Sequence, residues 1–106
     1  MKNIITSIKK IVSNLKKPKR SPKWRSVRKV HLLSENWCRN CGATSDLEVH
    51  HIKPFHIDPS LELEPSNLIT LCESVFKDCH LKKGHLGNWK KVNEKVREEC
   101  VFKKLT

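Results

Sequence analysis

Four cysteines in two pairs, Cys38 with Cys41 and Cys72 with Cys79, enclose a tandem histidine, His50-His51, in a chain of 106 residues. A chain of this length makes at most one small domain, and a small domain buries a modest share of its surface, so a staple is expected. The thiols can supply it as disulfides or as metal ligands. No small-residue cleavage site follows the apolar positions of residues 4–15, which argues against a secretory signal and for a reducing, cytoplasmic setting. Zinc is therefore the expected use. Cys38-x2-Cys41 with Gly42 directly after it has the spacing of a knuckle whose tight turn aims backbone amides at sulfur. Cys72 and Cys79 would complete a closed, tetrahedral four-cysteine site. Their spacing is wider than usual, so residues 73–78 must loop out. Cys100 is left over and reads as a small buried hydrophobe.

The periodicity around these landmarks predicts an α+β domain. Ile4, Ile5, Ile8, Ile11, Val12 and Leu15 recur at helical spacing with lysines on the remaining surface, a basic amphipathic helix. Pro18 and Pro22 break it, which sets residues 1–20 apart from a main domain over 21–106. Ser21-Pro22 suits a second helix start, ending near Asn36. Its buried stripe would be Trp24, Val27, Val30 and His31 or Leu33, leaving Lys23, Arg25, Arg28 and Lys29 outside. Trp37 would shelter the cysteine knuckle. Residues 46–52 read as a short strand carrying both histidines, and 67–72 as the returning strand, with a polar loop holding three prolines between them. A helix is expected from Cys79 onward, interrupted at Gly84 and Gly87, and a last amphipathic helix uses Val92, Val96, Cys100 and Val101. No apolar run approaches the roughly 18 residues of a membrane span.

The formal charge of +11 is unevenly distributed. Residues 1–34 carry eleven Lys and Arg and no acid, while the rest of the chain balances eleven against eleven. Such a block is the footprint of a phosphate-rich partner, because neutralising phosphates releases counterions whatever the sequence of bases. A solvated tail or a membrane-binding arm would have the same composition.

As an ordered set, the Trp24 helix, Cys38-x2-Cys41, residues 47–54 (LEVHHIKP), residues 67–72 (NLITLC) and Cys79-His80 resemble the HNH (His-Asn-His) endonucleases of the zinc-containing, ββα-metal branch. The run from Cys79 to Trp89 is similar to small phage-type members. The resemblance implies a His-Me finger hairpin and helix stapled by zinc, with flanking helices. It further implies that His50 binds a divalent ion and that His51 is the general base. Adjacent strand residues point to opposite faces, so the two histidines should differ in role. Asn67 would hold base and hairpin in register. His80 would be a second metal ligand, and His85 is the candidate third. On an ideal α-helix, residues five apart lie about 140° out of phase, a mismatch that Gly84 could relieve by bending the segment. An all-histidine site accepts Mg, Mn, Ni or Zn.

His56 could touch phosphate or cap its loop, and Lys23, Arg25, Arg28 and Lys29 are the candidate DNA contacts. The implied activity is metal-dependent cleavage of duplex DNA to 5′-phosphate and 3′-hydroxyl ends. One site cuts one strand, so a double-strand break would need a homodimer or two encounters. The family suggests a phage or mobile-element setting, beside a terminase or within a restriction system. Two other functions fit the residues: a non-catalytic zinc ribbon that binds nucleic acid, and an RNA-acting nuclease.

Overall fold

Two five-residue strands, β1 (Leu47–His51) and β2 (Leu68–Cys72), form an antiparallel pair that aligns Leu47 with Cys72 and His51 with Leu68. The computed structural model describes residues 18–100. The basic helix expected over residues 4–15 lies outside these residues, as does Val101. The other elements are helix α1 (Trp24–Ser34), single 3-10 turns at Pro59–Leu61 and Pro65–Asn67, a π-helical turn at His80–Gly84, and the short helix α2 (Val96–Glu99). The result is a small α+β fold built on one hairpin, consistent with the ββα-metal architecture. Among the described residues no helix is long and apolar enough to cross a membrane.

Every residue of β2 is buried, so its outer edge needs polar partners. Glu35, just past the end of α1, supplies two of them. Its carboxylate accepts the Thr70 amide at 2.8 Å, and its carbonyl accepts the Thr70 hydroxyl at 2.7 Å. Arg39 donates its amide to the Thr70 carbonyl at 3.0 Å, and Arg97 of α2 reaches the Leu68 carbonyl. Burial works against the Glu35 charge, but His31, the Thr70 amide and Arg97 outweigh it and hold the carboxyl down to about 2. Glu35 thereby joins α1, β2 and α2.

The apolar core is small and centred on the cysteines. Cys38, Ile69, Leu71, Cys72, Cys79 and Val96 form it, with Ala43, Leu47 and Ile52 packed alongside. The expected stripe on α1 needs correction. Trp24, Val27 and His31 are half-buried, whereas Val30 and Leu33 are 65% and 75% exposed. The 3.6-residue pattern locates an apolar face, but β1 and the loop after it reach only part of that face. The last helix is also shorter than expected. Val96 is fully buried and inside α2, while Val92 precedes the helix, where buried Asn93 bonds the Lys83 carbonyl, the Glu99 carboxylate and the Lys95 amide.

Candidate metal centre and adjoining cleft

The knuckle at Cys38–Cys41 turns through Gly42, whose φ of 81° is the left-handed region that favours glycine. The Gly42 amide returns to the Cys38 carbonyl at 2.8 Å, and the Cys38 amide to Ala43 at 2.7 Å. The sulfurs of Cys38, Cys41, Cys72 and Cys79 lie within 4.8 Å of one another, and those of Cys41 and Cys72 are 3.6 Å apart. A disulfide would need about 2.05 Å. Four sulfurs at about 2.3 Å from a tetrahedral zinc sit about 3.8 Å from each other, so the cluster fits that ion. Burial pushes the Cys41 and Cys79 thiols up, while the amides of Cys79 and Ser74 outweigh burial at Cys72 and bring it down to about 7, making it the first of these three to ionise. Residues 73–78 loop outward, leaving Val75 and Phe76 94% and 90% exposed. Cys100 lies half-buried beside this core, its thiol pushed up to about 11 by burial.

Directly after Cys79 the chain makes a π-helical turn. The His85 amide bonds back to the His80 carbonyl at 3.1 Å, an i to i+5 closure that sets residues 80 and 85 one turn apart. This reduces the angular mismatch of an ideal α-helix. His50, at 4% exposure on β1, faces both, and ring nitrogens of His50, His80 and His85 lie within 4.8 Å of one another.

Hydrogen bonds fix two of the tautomers. His80 Nδ1 is 2.6 Å from the Glu73 carboxylate, and His85 donates Nδ1–H to the Lys91 carbonyl at 2.9 Å, so each presents a bare Nε2. His50 places Nδ1 3.0 Å from His80 Nε2, and its buried Nε2 has no partner. At metal–nitrogen distances of about 2.1 Å, neighbouring ligands are about 3.0 to 3.4 Å apart, so the trio suits one divalent ion. Burial, followed by the neighbouring histidines, pulls the His50 imidazole down to about 3, which keeps it neutral and ligand-ready. Gly84 makes this packing possible. A Cβ there would stand 3.2 Å from His50 Cε1 and 3.1 Å from Leu71 Cδ1.

His51, next on β1, faces a different neighbour. Its Nε2 donates to the Glu62 carbonyl at 2.9 Å, since a carbonyl can only accept, and this leaves Nδ1 as the basic nitrogen. The Trp24 ring packs on it with centroids 4.3 Å apart. Burial, together with the Arg20 charge, lowers its pKa. Asn67 ties down the loop that carries Glu62. Its side-chain oxygen accepts the Lys53 amide at 2.8 Å, and its nitrogen donates to the carbonyls of Lys53 and Leu61, both at 3.1 Å. His50, His51, His80 and His85 line one cleft of about 340 Å³, which Arg20, Phe55 and His56 share.

Residues 38–86, which hold both clusters, match the family model described as HNH endonuclease. That stretch, a little under half of the chain, reads as an HNH endonuclease domain. No curated protein and no solved structure matches the chain.

Around the HNH domain, the residues singled out from the sequence fall into separate groups. His56 is exposed at the cleft. Lys23, Arg25 and Lys29 are exposed near or on α1, whereas Arg28 reaches Glu48 at 3.4 Å. Arg25, Arg28 and Lys29 line a second groove with Trp24, Leu32 and Leu33 rather than the histidine cleft. The sequence pattern does not mark Arg20, Glu62 or Glu73. Glu73 carries one signal: it directly follows Cys72, whose pairing with Cys79 brings it near His80. Arg20 and Glu62 meet across 42 residues, and neither spacing nor composition points to that contact.

Proposed function

We propose that this HNH protein is a metal-dependent DNA endonuclease whose catalytic groups are His50, His51, His80 and His85, positioned by Asn67. One observation carries the reading. A trio of histidine nitrogens converges in the same cleft as a separate histidine whose backbone hydrogen bond leaves Nδ1 free to accept a proton.

In this reading His50, His80 and His85 hold a divalent ion, and Glu73 fixes the orientation of the His80 ring. The bound ion would supply Lewis-acid stabilisation of the charge that builds on the phosphate and the departing oxygen. His51 Nδ1 takes a proton from water, the resulting hydroxide attacks phosphorus, and the bond to the 3′ oxygen breaks with its electron pair going to that oxygen. The 3′ oxygen takes a proton from solvent water, while His51 returns its own to solvent. The products are a 5′-phosphate and a 3′-hydroxyl. The Glu62 carbonyl stabilises the imidazolium that forms on His51, and Asn67 keeps that carbonyl in place. Cys38, Cys41, Cys72 and Cys79 hold a structural zinc that fixes the turn carrying His80. The basic segment of residues 1–34 binds duplex phosphates irrespective of sequence. A single site cuts one strand per encounter.

Nicking of supercoiled plasmid with Mg2+, Mn2+ or Ni2+ tests this, comparing the wild type with His51→Ala and with an EDTA control. The expected result is metal-dependent nicking that falls by about 10² to 10⁴-fold in the variant, the usual range for a general base, while DNA binding persists. A protein that binds DNA without nicking it under any metal would instead be a non-catalytic zinc ribbon.

A further inference from the structure

Arg20 lies outside the residues that match the family model, yet its side chain lines the histidine cleft. It is held on two sides. Its Nε donates to Glu62 Oε2 at 2.6 Å, and its guanidinium carbon sits 4.7 Å above the Phe55 ring centre. Glu62 is itself fixed: its side chain is 5% exposed, and its second carboxylate oxygen accepts the Ser21 amide at 2.9 Å. The Arg20 side chain is 53% exposed, and among the described residues its two Nη groups have no partner. A planar fork anchored through Nε and one face, with its remaining N–H groups at the cleft, is suited to bind a phosphate through paired hydrogen bonds.

We infer that Arg20 binds the phosphate that undergoes cleavage, and that Glu62 positions Arg20 and His51 together. The inference rests on the nuclease reading for the fate of the phosphate, but not for its binding. Glu62 uses two different groups: its carboxylate orients the arginine and its carbonyl orients the base. Any shift of this residue therefore moves the anion-holding group and the proton acceptor in concert. A purely structural ion pair, closing the loop after β1 onto the chain before α1, would need only the charge of Arg20. A phosphate ligand also needs the geometry of the fork. Lysine separates the two, because it keeps a cation beside Glu62 and lacks the fork.

Two quantities test this on the full, zinc-loaded chain: the single-turnover cleavage rate of a labelled duplex in Mn2+, and the affinity for the dinucleotide TpT, which presents one phosphodiester. Arg20→Lys should fold with unchanged Mn2+ affinity, cleave about tenfold more slowly and bind TpT about tenfold more weakly. Arg20→Ala should lose about 10² to 10³-fold in rate, the scale of removing one preorganised donor. If Arg20→Ala fails to fold, the lysine variant alone decides. Rates and TpT affinities within about threefold of wild type in Arg20→Lys would overturn the inference while leaving the nuclease reading standing. A wild type that binds TpT through Arg20 but cleaves nothing would keep the phosphate site and remove the nuclease reading.

Discussion

At the scale of single residues, the histidine cluster depends on two neighbours that carry no metal-binding atom of their own in it. Gly84 gives the His50 ring its space, since a Cβ would meet both that ring and Leu71 Cδ1. Gly84→Ala should weaken Mn2+ binding, measured by calorimetry, and leave the zinc content unchanged. Equal Mn2+ affinity would show that the ring has room to move. Glu73 acts through His80 Nδ1. Glu73→Gln should cost about 10 to 100-fold in Mn2+ affinity, the usual effect of losing a carboxylate behind a ligating histidine. An unchanged titration would make Glu73 a surface partner only. The six histidines are visible in the sequence, as are the cysteine spacings. The supporting groups are less so: Arg20 and Glu62 meet only when segments 42 residues apart pack together, and Glu73 is signalled only by its place directly after Cys72.

Among the elements, the π-helical turn decides how the histidines meet. Helical periodicity counts 3.6 residues per turn and so separates His80 from His85, whereas the i to i+5 closure brings them closer to alignment. Asp78 helps to begin that turn by accepting the Leu81 amide at 3.2 Å, and Gly87 closes onto the Leu81 carbonyl at 2.9 Å. The strands are legible to within a residue or two because the runs around His50 and Leu68 are apolar and bounded by proline and polar residues. The extent of burial on α1 is not, since an amphipathic pattern does not say how wide a partner will cover it.

Glu35, invisible to pattern, makes the pH behaviour predictable. Its carboxyl is held near 2 in the fold against an ordinary 4.5. A depressed carboxyl stabilises the fold fully above its unfolded value, and that contribution is lost as pH falls from about 4.5 through about 2. It is on the order of 3 kcal/mol at neutral pH. Glu35→Gln should therefore be less stable than wild type at pH 7 in urea unfolding, with the gap narrowing on acidification. A constant gap from pH 7 to pH 3 would contradict the assignment.

For the molecule as a whole, the cysteine cluster stands in for a large apolar core. Only a few aliphatic side chains are fully buried among the described residues, and of these Ile69, Leu71 and Val96 pack with the thiols. Stripping zinc with a chelator, or substituting Cys72→Ser, should abolish cooperative unfolding monitored by circular dichroism, because metal binding and folding are one process in small zinc domains. Retained cooperativity without zinc would place the stability elsewhere. The charge asymmetry predicts a steep loss of DNA affinity with added salt. Gln at Lys9, Lys10, Lys16 and Lys17 should flatten the log–log slope by about 0.9 for each phosphate those lysines neutralise. An unaltered slope would assign the phosphate binding to other cations.

Strand cleavage by this protein depends, in the proposed mechanism, on the ion held by His50, His80 and His85. The cleavage rate of a labelled duplex as a function of Mn2+ concentration, in zinc-loaded wild type and His80→Ala, probes that dependence without intermediaries. The expected wild-type curve saturates with a midpoint equal to the separately measured Mn2+ dissociation constant, and it collapses in the variant while the zinc content stays intact. Cleavage that is independent of added metal, or that survives in His80→Ala with the same midpoint, would refute the role of this histidine cluster.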